Sequence, residues 1–454
     1  MSSTTPNRTT LQRRSFLGAA GGLAGAGLLT ACGSGSKVGA DGDEPKDAPD
    51  FQGGEYKGPK VTLEYWNGFT GGDGPHMRSM LKAFNKEYAG RIEVKNTTRQ
   101  WQDFYPALPT AITAGKGPDV AVMHNDWVGT FAARNILVPL DDVVSALEMS
   151  ESDFIPAVWQ AGVYEGKRYS VPLDVHCLAD YANSKHLTRA GLDAPPQDRD
   201  GFESSLAELQ DAGVKQPFWM PNKWPGHLMF MSLLWQFGGE LYNEDGTKAL
   251  WGSDAGAEAL AWMRKQITEG YSPGKVAQDS QYTAFKNNKV SYTWDGIWQI
   301  NDLKTNAEGL DWEMASLPVI GDRAAVWTAS HNFVLTSQAL KGDDGDHKAE
   351  AAKFFIDYMS KQSTEWARAG MIPARNSVRE QSQVASLPQI ALAKDVDVFH
   401  FVPPVAGVGD VQVKALELAV QEAVLGRKSP AGALADGVRT ADKLLAQNKQ
   451  KYAK

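Results

Sequence analysis

Between residues 61 and 123 the chain alternates two hydrophobic periodicities, and that alternation restricts the fold more than any other feature. Val61, Leu63 and Tyr65 alternate with Thr62, Glu64 and Trp66, which predicts a strand. Met77, Met80, Leu81, Phe84 and Tyr88 then recur at helical spacing. Arg91 to Asn96 predicts a second strand, and Trp101 to Ala114 a second helix that Pro106 and Pro109 should start late or bend. Val120 to Met123 is a continuous apolar third strand. Strand, helix, strand, helix, strand implies a parallel sheet flanked by helices. Ligands bind such sheets at the strand ends. Two of the predicted ends carry polar and aromatic loops: Asn67-Gly68-Phe69-Thr70-Gly71-Gly72-Asp73-Gly74-Pro75, and His124-Asn125-Asp126-Trp127.

A third end of this kind lies far along the chain. Lys289-Val290-Ser291 runs into Tyr292-Thr293-Trp294-Asp295-Gly296-Ile297-Trp298, where two indoles flank an Asp-Gly turn. A flat apolar face beside a carboxylate suits a sugar ring, with its C–H face and hydroxyl rim. The competing reading makes both Trp core and leaves Asp295 to shape the turn. Four residues apart across a turn, Trp294 and Trp298 should not share a face. Trp298 is therefore expected to stack on ligand, and Trp294 stays open between core and site. The chain has 454 residues, too many for one ordinary core, and two or three domains are expected. Its 14 Trp are roughly twice average usage, and all lie after residue 60, in the part expected to fold.

The N-terminus reads as an export signal. Arg8, Arg13 and Arg14 precede an uncharged stretch from Phe16 to Leu29, too short to span a bilayer. Arg13-Arg14-Ser15-Phe16-Leu17 matches the twin-arginine pattern, and Leu29-Thr30-Ala31-Cys32 resembles a lipobox whose Cys32 would be acylated. No later stretch is long and apolar enough to span, so the expected anchor is lipid. Residues 33 to 54 are Gly, Ser, Asp, Lys and Pro with few large apolar residues, a flexible tether. Loss of 1–31 removes three Arg and no acid, taking the formal charge from −8 to −11. An acidic protein with no basic run argues against nucleic acid as a partner. Cys177 then has no second thiol to pair with, so no disulfide is expected. The Gly-rich loop lacks both Gly-Lys-Ser/Thr and G-x-G-x-x-G spacing, which excludes the usual phosphate cradles. The eight His are scattered, with none in a metal-binding i, i+4 motif, so neither metal nor cofactor is expected.

Ala114-Gly115-Lys116-Gly117-Pro118-Asp119-Val120 and Tyr164-Glu165-Gly166-Lys167-Arg168-Tyr169-Ser170-Val171-Pro172 make the resemblance specific. With Ala190-Gly191-Leu192-Asp193-Ala194-Pro195-Pro196, Gly238-Gly239, Ala284-Phe285-Lys286-Asn287-Asn288-Lys289-Val290, Leu317-Pro318 and Gly370-Met371-Ile372-Pro373-Ala374-Arg375, the chain resembles extracellular solute-binding protein family 1. These are the sugar-binding lipoproteins of ABC importers. The chain departs from the family at Ala182-Asn183, where Tyr-Asn is usual, and at Arg199-Asp200-Gly201-Phe202 for Thr-Trp-Asp-Glu.

The resemblance implies an α/β, two-lobed periplasmic-binding-protein-like fold, each lobe a mostly parallel sheet flanked by helices and hinged by two or three crossings. Residues 59–173 plus 319–361 would form the first lobe and 174–318 plus 362–454 the second, after the signal 1–31 and tether 32–58. The cleft would be lined by Trp66, Asn67, Asp73, Asn125, Asp126 and His331 from the first lobe. The second would supply His176, Trp224, Trp294, Asp295, Trp298 and Arg375. The implied function is capture of a mono- or oligosaccharide by a monomeric, lipid-anchored receptor on the outer face of the membrane. ABC importer transmembrane subunits would receive the sugar, and no catalysis is expected. The alternatives are a secreted glycoside hydrolase using a pair among Asp73, Asp126, Asp174 and Asp295, or a peptide or siderophore receptor on the same fold.

Overall fold

The computed structural model describes residues 50–51, 53–394 and 396–452. The expected export signal, Cys32 and most of the expected tether lie outside them. Among the described residues no helix is long and apolar enough to cross a membrane.

β1 (Val61–Asn67), α1 (Gly74–Glu87), β2 (Ile92–Thr98), α2 (Trp101–Thr113) and β3 (Val120–His124) follow the predicted order, with β1 parallel to both β2 and β3. Strand alternation sends Leu63 and Tyr65 to one face and Trp66 to the other, beneath α2. α2 does not start late. It begins at Trp101, behind an extended Gln100, and holds both prolines inside. Each proline forfeits one backbone bond, and the buried face of Phe104, Tyr105, Leu108 and Ile112 keeps the helix in place.

α3 (Asn125–Ala133) leads to β4 (Leu137–Val138), a small hairpin of β5 (Val163–Tyr164) and β6 (Lys167–Arg168), and β7 (Val171–Pro172). One residue later the chain enters a second sheet through the fully buried β8 (Asp174–Asn183). β9 (Tyr292–Gly296), β10 (Trp312–Ala315) and β11 (Val326–Ala329) all pair antiparallel with β8. After Ser330 alone, β12 (His331–Thr336) returns to the first sheet, antiparallel to β3, β4 and β7. β13 (Ile372–Pro373) pairs with β8, and β14 (Phe399–Phe401) runs parallel to β11.

The α/β, two-sheet architecture is as expected, but two details differ. The sheets are not mostly parallel. Parallel pairing holds for the β1, β2, β3 nucleus and for β11 with β14, while the strands gathered around β8 and β12 oppose them. β8 and β12 each enter directly from the other sheet, so no right-handed helical crossover dictates their direction. The second difference is the return point. Val326–Ala329, expected in the first lobe, pairs in the second sheet, and the crossing falls at Ser330.

Helix Gly226–Gln236 is buried along its whole length and helix Asp254–Thr268 packs beside it, so Trp235, Trp251 and Trp262 are core. Helix Pro430–Tyr452 completes this half of the molecule.

Candidate functional site

Where the chain passes between sheets, the end of β3 and the starts of β8 and β12 meet. Asp174, the first residue of β8, is fully buried and holds the junction. Its Oδ2 accepts from Trp366 Nε1 at 2.6 Å and His331 Nδ1 at 2.8 Å; its Oδ1 accepts from the His331 backbone N–H at 3.0 Å and His176 Nδ1 at 3.1 Å. Burial alone would raise this carboxyl, but His331 and the imidazole hydrogen bonds hold it well below the usual carboxylate range. An ionised carboxylate only accepts, so His176 and His331 carry their protons on Nδ1.

The His176 and His331 rings stack at 4.1 Å, and His124 lies 4.8 Å from His331 and 5.4 Å from His176. His124 Nδ1 sits 2.5 Å from the Tyr105 hydroxyl, which also accepts the His124 backbone N–H at 3.1 Å. Burial, reinforced by the neighbouring imidazoles, lowers His124 well below its ordinary value and brings His176 down to about 4.

Tryptophans wall this cluster. Trp101 stacks on His331 at 5.5 Å and meets His124 edge-on at 4.5 Å. It rests against Gly68, where a Cβ would fall 2.1 Å from the indole. On the other side Trp298 lies 5.8 Å from His176, 6.1 Å from Trp224 and 6.4 Å from Trp327. Trp298 belongs to a 3₁₀ turn, Ile297–Gln299, folded back over Gly296, where a Cβ would lie 2.1 Å from its ring. Asp295 and Gly296 therefore end strand β9 and do not form the expected turn, which follows at Ile297–Gln299, and only glycine at 296 leaves room for the indole.

Other predicted residues ring the junction in different states. Asn125 Oδ1 accepts from Ser330 N at 2.9 Å, leaving its buried Nδ2 without a partner among the described residues. Asp126 Oδ2 accepts from Gln412 Nε2 at 2.5 Å, Oδ1 is likewise unpartnered, and burial pushes the carboxyl up to about 6. Asp73 is also pushed to about 6 by burial, against the pull of His331, and its Oδ1 is unpartnered. Asp295 accepts from Gly296 N at 2.8 Å and Gln299 Nε2 at 3.4 Å, and burial raises it to about 7. Asn67 is consumed by its own strand end, donating to Asn96 Oδ1 at 2.6 Å and accepting from Phe69 N at 3.2 Å.

Three expected lining residues lie elsewhere. Trp66 packs edge-on against Phe104 with Arg99 4.3 Å over its ring, because alternation along β1 turns it to the opposite face of the sheet. Trp294 is core, stacked on Trp262 at 5.5 Å between Phe202 and Phe218. Arg375 pairs with Asp153 at 2.6 Å, a structural ion pair.

Sequence reasoning named Asp174 only as a possible hydrolase carboxylate, and missed His124, Tyr105, Trp101, Trp327 and Trp366 as neighbours of the site. His124 had a usable signal, since it ends a predicted strand beside Asn125 and Asp126. Trp101 and Tyr105 reach it from α2 and Trp327 and Trp366 from segments on either side of the second crossing, placements that no local pattern encodes.

The two halves also touch at their rims. A Cβ on Gly72 would meet the Asp302 backbone N at 2.9 Å and the Trp298 carbonyl at 3.2 Å. Asn301 Nδ2 lies 3.2 Å from His76 Nε2. On the far side, α3 meets the segment around the π-helical turn Gln412–Leu416 through Gln412 to Asp126, Gly407 N to Thr130 Oγ1 at 2.9 Å, and Arg134 to Asp410 at 2.5 Å.

Comparison with known proteins finds relatives in sequence and in fold. A binding protein of Brucella abortus (strain 2308) is 24% identical over 387 residues, spanning 82% of this chain and 90% of that one. The maltotriose-binding protein of Pyrococcus abyssi is 25% identical over 329 residues, 70% of this chain and 68% of its own. Among solved structures, the GacH receptor of Streptomyces glaucescens, determined unliganded and with acarbose, superposes with a TM-score of 0.76. It is 22% identical, covering 86% of this chain and all of the receptor. The MalE domain of Bdellovibrio bacteriovorus bound to maltotriose gives 0.73 at 22% identity, covering 85% of this chain and all of that one. The model of the bacterial extracellular solute-binding proteins matches residues 70–364, and the chain belongs to that family.

Proposed function

We propose that the protein is an exported receptor, anchored by lipid at Cys32, that captures a carbohydrate between two lobes and delivers it to the transmembrane subunits of an ABC importer. It works as a monomer and catalyses no reaction. The lobes divide by sheet membership, 59–173 with 331–361 against 174–329 with 362–454. A maltodextrin-like oligosaccharide is the favoured class, in keeping with the maltotriose-binding relative and the acarbose- and maltotriose-bound neighbours.

One observation carries the reading: the candidate site holds a half-buried indole, Trp298, together with buried polar atoms that have no partner among the described residues. A sugar ring supplies both needs, a C–H face for the indole and hydroxyls for Asn125 Nδ2, Asp126 Oδ1 and Asp73 Oδ1. Trp224, His176 and Asp295 complete the ligand side of the second lobe, and His331 that of the first.

A thermal-melt panel of mono- and oligosaccharides tests it. One glucan class should raise the melting temperature as RT ln(1 + [L]/Kd), with quenching of Trp fluorescence. If no sugar at millimolar concentration moves the melt, the carbohydrate reading fails.

A further inference from the structure

We infer that His124, His176 and His331 form a binding site for a divalent transition metal of the zinc class, coordinated through their Nε2 atoms. This goes beyond carbohydrate capture and does not depend on it. One ring nitrogen from each of the three residues lies within 4.8 Å of the other two. Three imidazoles at ~2.1 Å from one tetrahedral ion have nitrogens ~3.4 Å apart, so side-chain rotations closing at most ~1.4 Å complete the set.

The outer partners are arranged as metal-binding histidines require. Asp174 accepts from Nδ1 of both His176 (3.1 Å) and His331 (2.8 Å). Tyr105 occupies Nδ1 of His124 at 2.5 Å. A carboxylate on Nδ1 fixes the tautomer, leaves the Nε2 lone pair free and raises its basicity. Trp366, donating to Asp174 at 2.6 Å, fixes the carboxylate in turn.

A second observation points to a ligand. His176 Nε2 is buried and has no hydrogen-bond partner among the described residues. A hydroxyl hydrogen would satisfy that lone pair alone, whereas a cation would also engage the two imidazoles beside it. Neutral imidazole suits zinc, copper, nickel and iron rather than calcium or magnesium. Three protein ligands also leave a further coordination position.

The test uses the purified full chain stripped with a chelator, in the absence of sugar. Zinc chloride is titrated in competition with a chromophoric chelator, and cobalt(II) is added separately for its visible absorption spectrum. One zinc should bind per chain, with a tetrahedral-type cobalt spectrum that zinc abolishes. His124→Gln and His176→Gln should each weaken zinc at least 100-fold, and Asp174→Asn 10- to 100-fold. His124 is only half-buried, so its variant keeps the test open should His176→Gln fail to fold. No saturable zinc uptake, or an unchanged affinity in folded His124→Gln, overturns the site. The sugar panel repeated with and without EDTA separates the two readings: carbohydrate binding without zinc uptake sinks the metal site alone, and zinc uptake without any sugar response sinks the carbohydrate reading alone.

Discussion

Replacing Asp295 by Asn should make the protein more stable, by an amount that depends on pH in a defined direction. Burial raises this carboxyl from 3.8 to about 7 in the folded chain. Between those values the folded state binds more protons than the unfolded one, so this residue lowers stability as pH rises. Asn keeps an oxygen for Gly296 N and Gln299 Nε2 and carries no charge to desolvate. With 1.36 kcal/mol per pKa unit, its advantage is under about 1 kcal/mol at pH 4, grows through pH 7, and levels near about 4 kcal/mol at pH 8. At ~2.1 cal/mol/K per residue over ~400 residues, each kcal/mol is worth about 1 °C, so the gain is about 5 °C at pH 8. Scanning calorimetry of both proteins from pH 4 to 8 measures it, and the difference between them isolates this group from the other buried acids. A gain of equal size at pH 4 and pH 8, or a loss at pH 8, refutes the burial argument.

The two indoles flanking Asp295-Gly296 should separate cleanly. Trp294→Ala removes a fully buried ring and costs ~3–5 kcal/mol of stability, while Trp298→Ala leaves urea unfolding nearly unchanged and weakens carbohydrate at least tenfold, about 1.4 kcal/mol; equal effects in both assays would contradict their placement. Gly296→Ala drives a Cβ into the Trp298 ring, so titration should show sugar affinity falling as in Trp298→Ala, and retained affinity would mean the ring is not needed where it stands. Gln412→Ala takes the donor from Asp126 Oδ2 and should cost ~1–3 kcal/mol. That donor favours the ionised carboxyl, whose folded value is about 6, so the deficit in urea unfolding should be larger at pH 8 than at pH 5; the reverse order rejects it.

Local periodicity carried much of the fold. The β1-to-β3 nucleus is legible because buried strands and amphipathic helices impose different spacings on apolar residues. Strand direction around β8 was not, since it is set by where the chain arrives from the other sheet. The same division runs through the site. Trp298 and Asp295 could be read from one stretch because their neighbours in sequence are their neighbours in space. The meeting of the three histidines could not, because they come from β3, β8 and β12 and share no spacing; His176 and His331 were reached only through the family resemblance. Trp66 shows the opposite error. It sits at a predicted strand end, yet the alternation that identified the strand already assigned its side chain to the face away from the site. Arg375 fails for a plainer reason: Asp153, its partner, is remote in sequence, and a charged residue reveals nothing about which acid will claim it.

The two adjacent crossings would be the fulcrum of any rotation between the two halves. Leu173 N donates to the His331 carbonyl at 2.8 Å, Asp174 takes the His331 N–H at 3.0 Å, and Asn125 and Ser330 exchange two bonds of 2.9 Å. A rotation of one half against the other about this seam barely changes distances within it, whereas the Gly72 and Asp302 rims, farther from the axis, travel most. A ligand shifts an equilibrium only by binding its two states differently. Whatever is held at the seam therefore binds open and shut forms nearly alike and supplies affinity without leverage. In the proposed receptor the work of closing would fall to groups that span the rims, so a solute reaching from Trp298 to the loop that carries Gly72 and Asp73 would shut the molecule, and one confined to the seam would occupy it and leave it ajar.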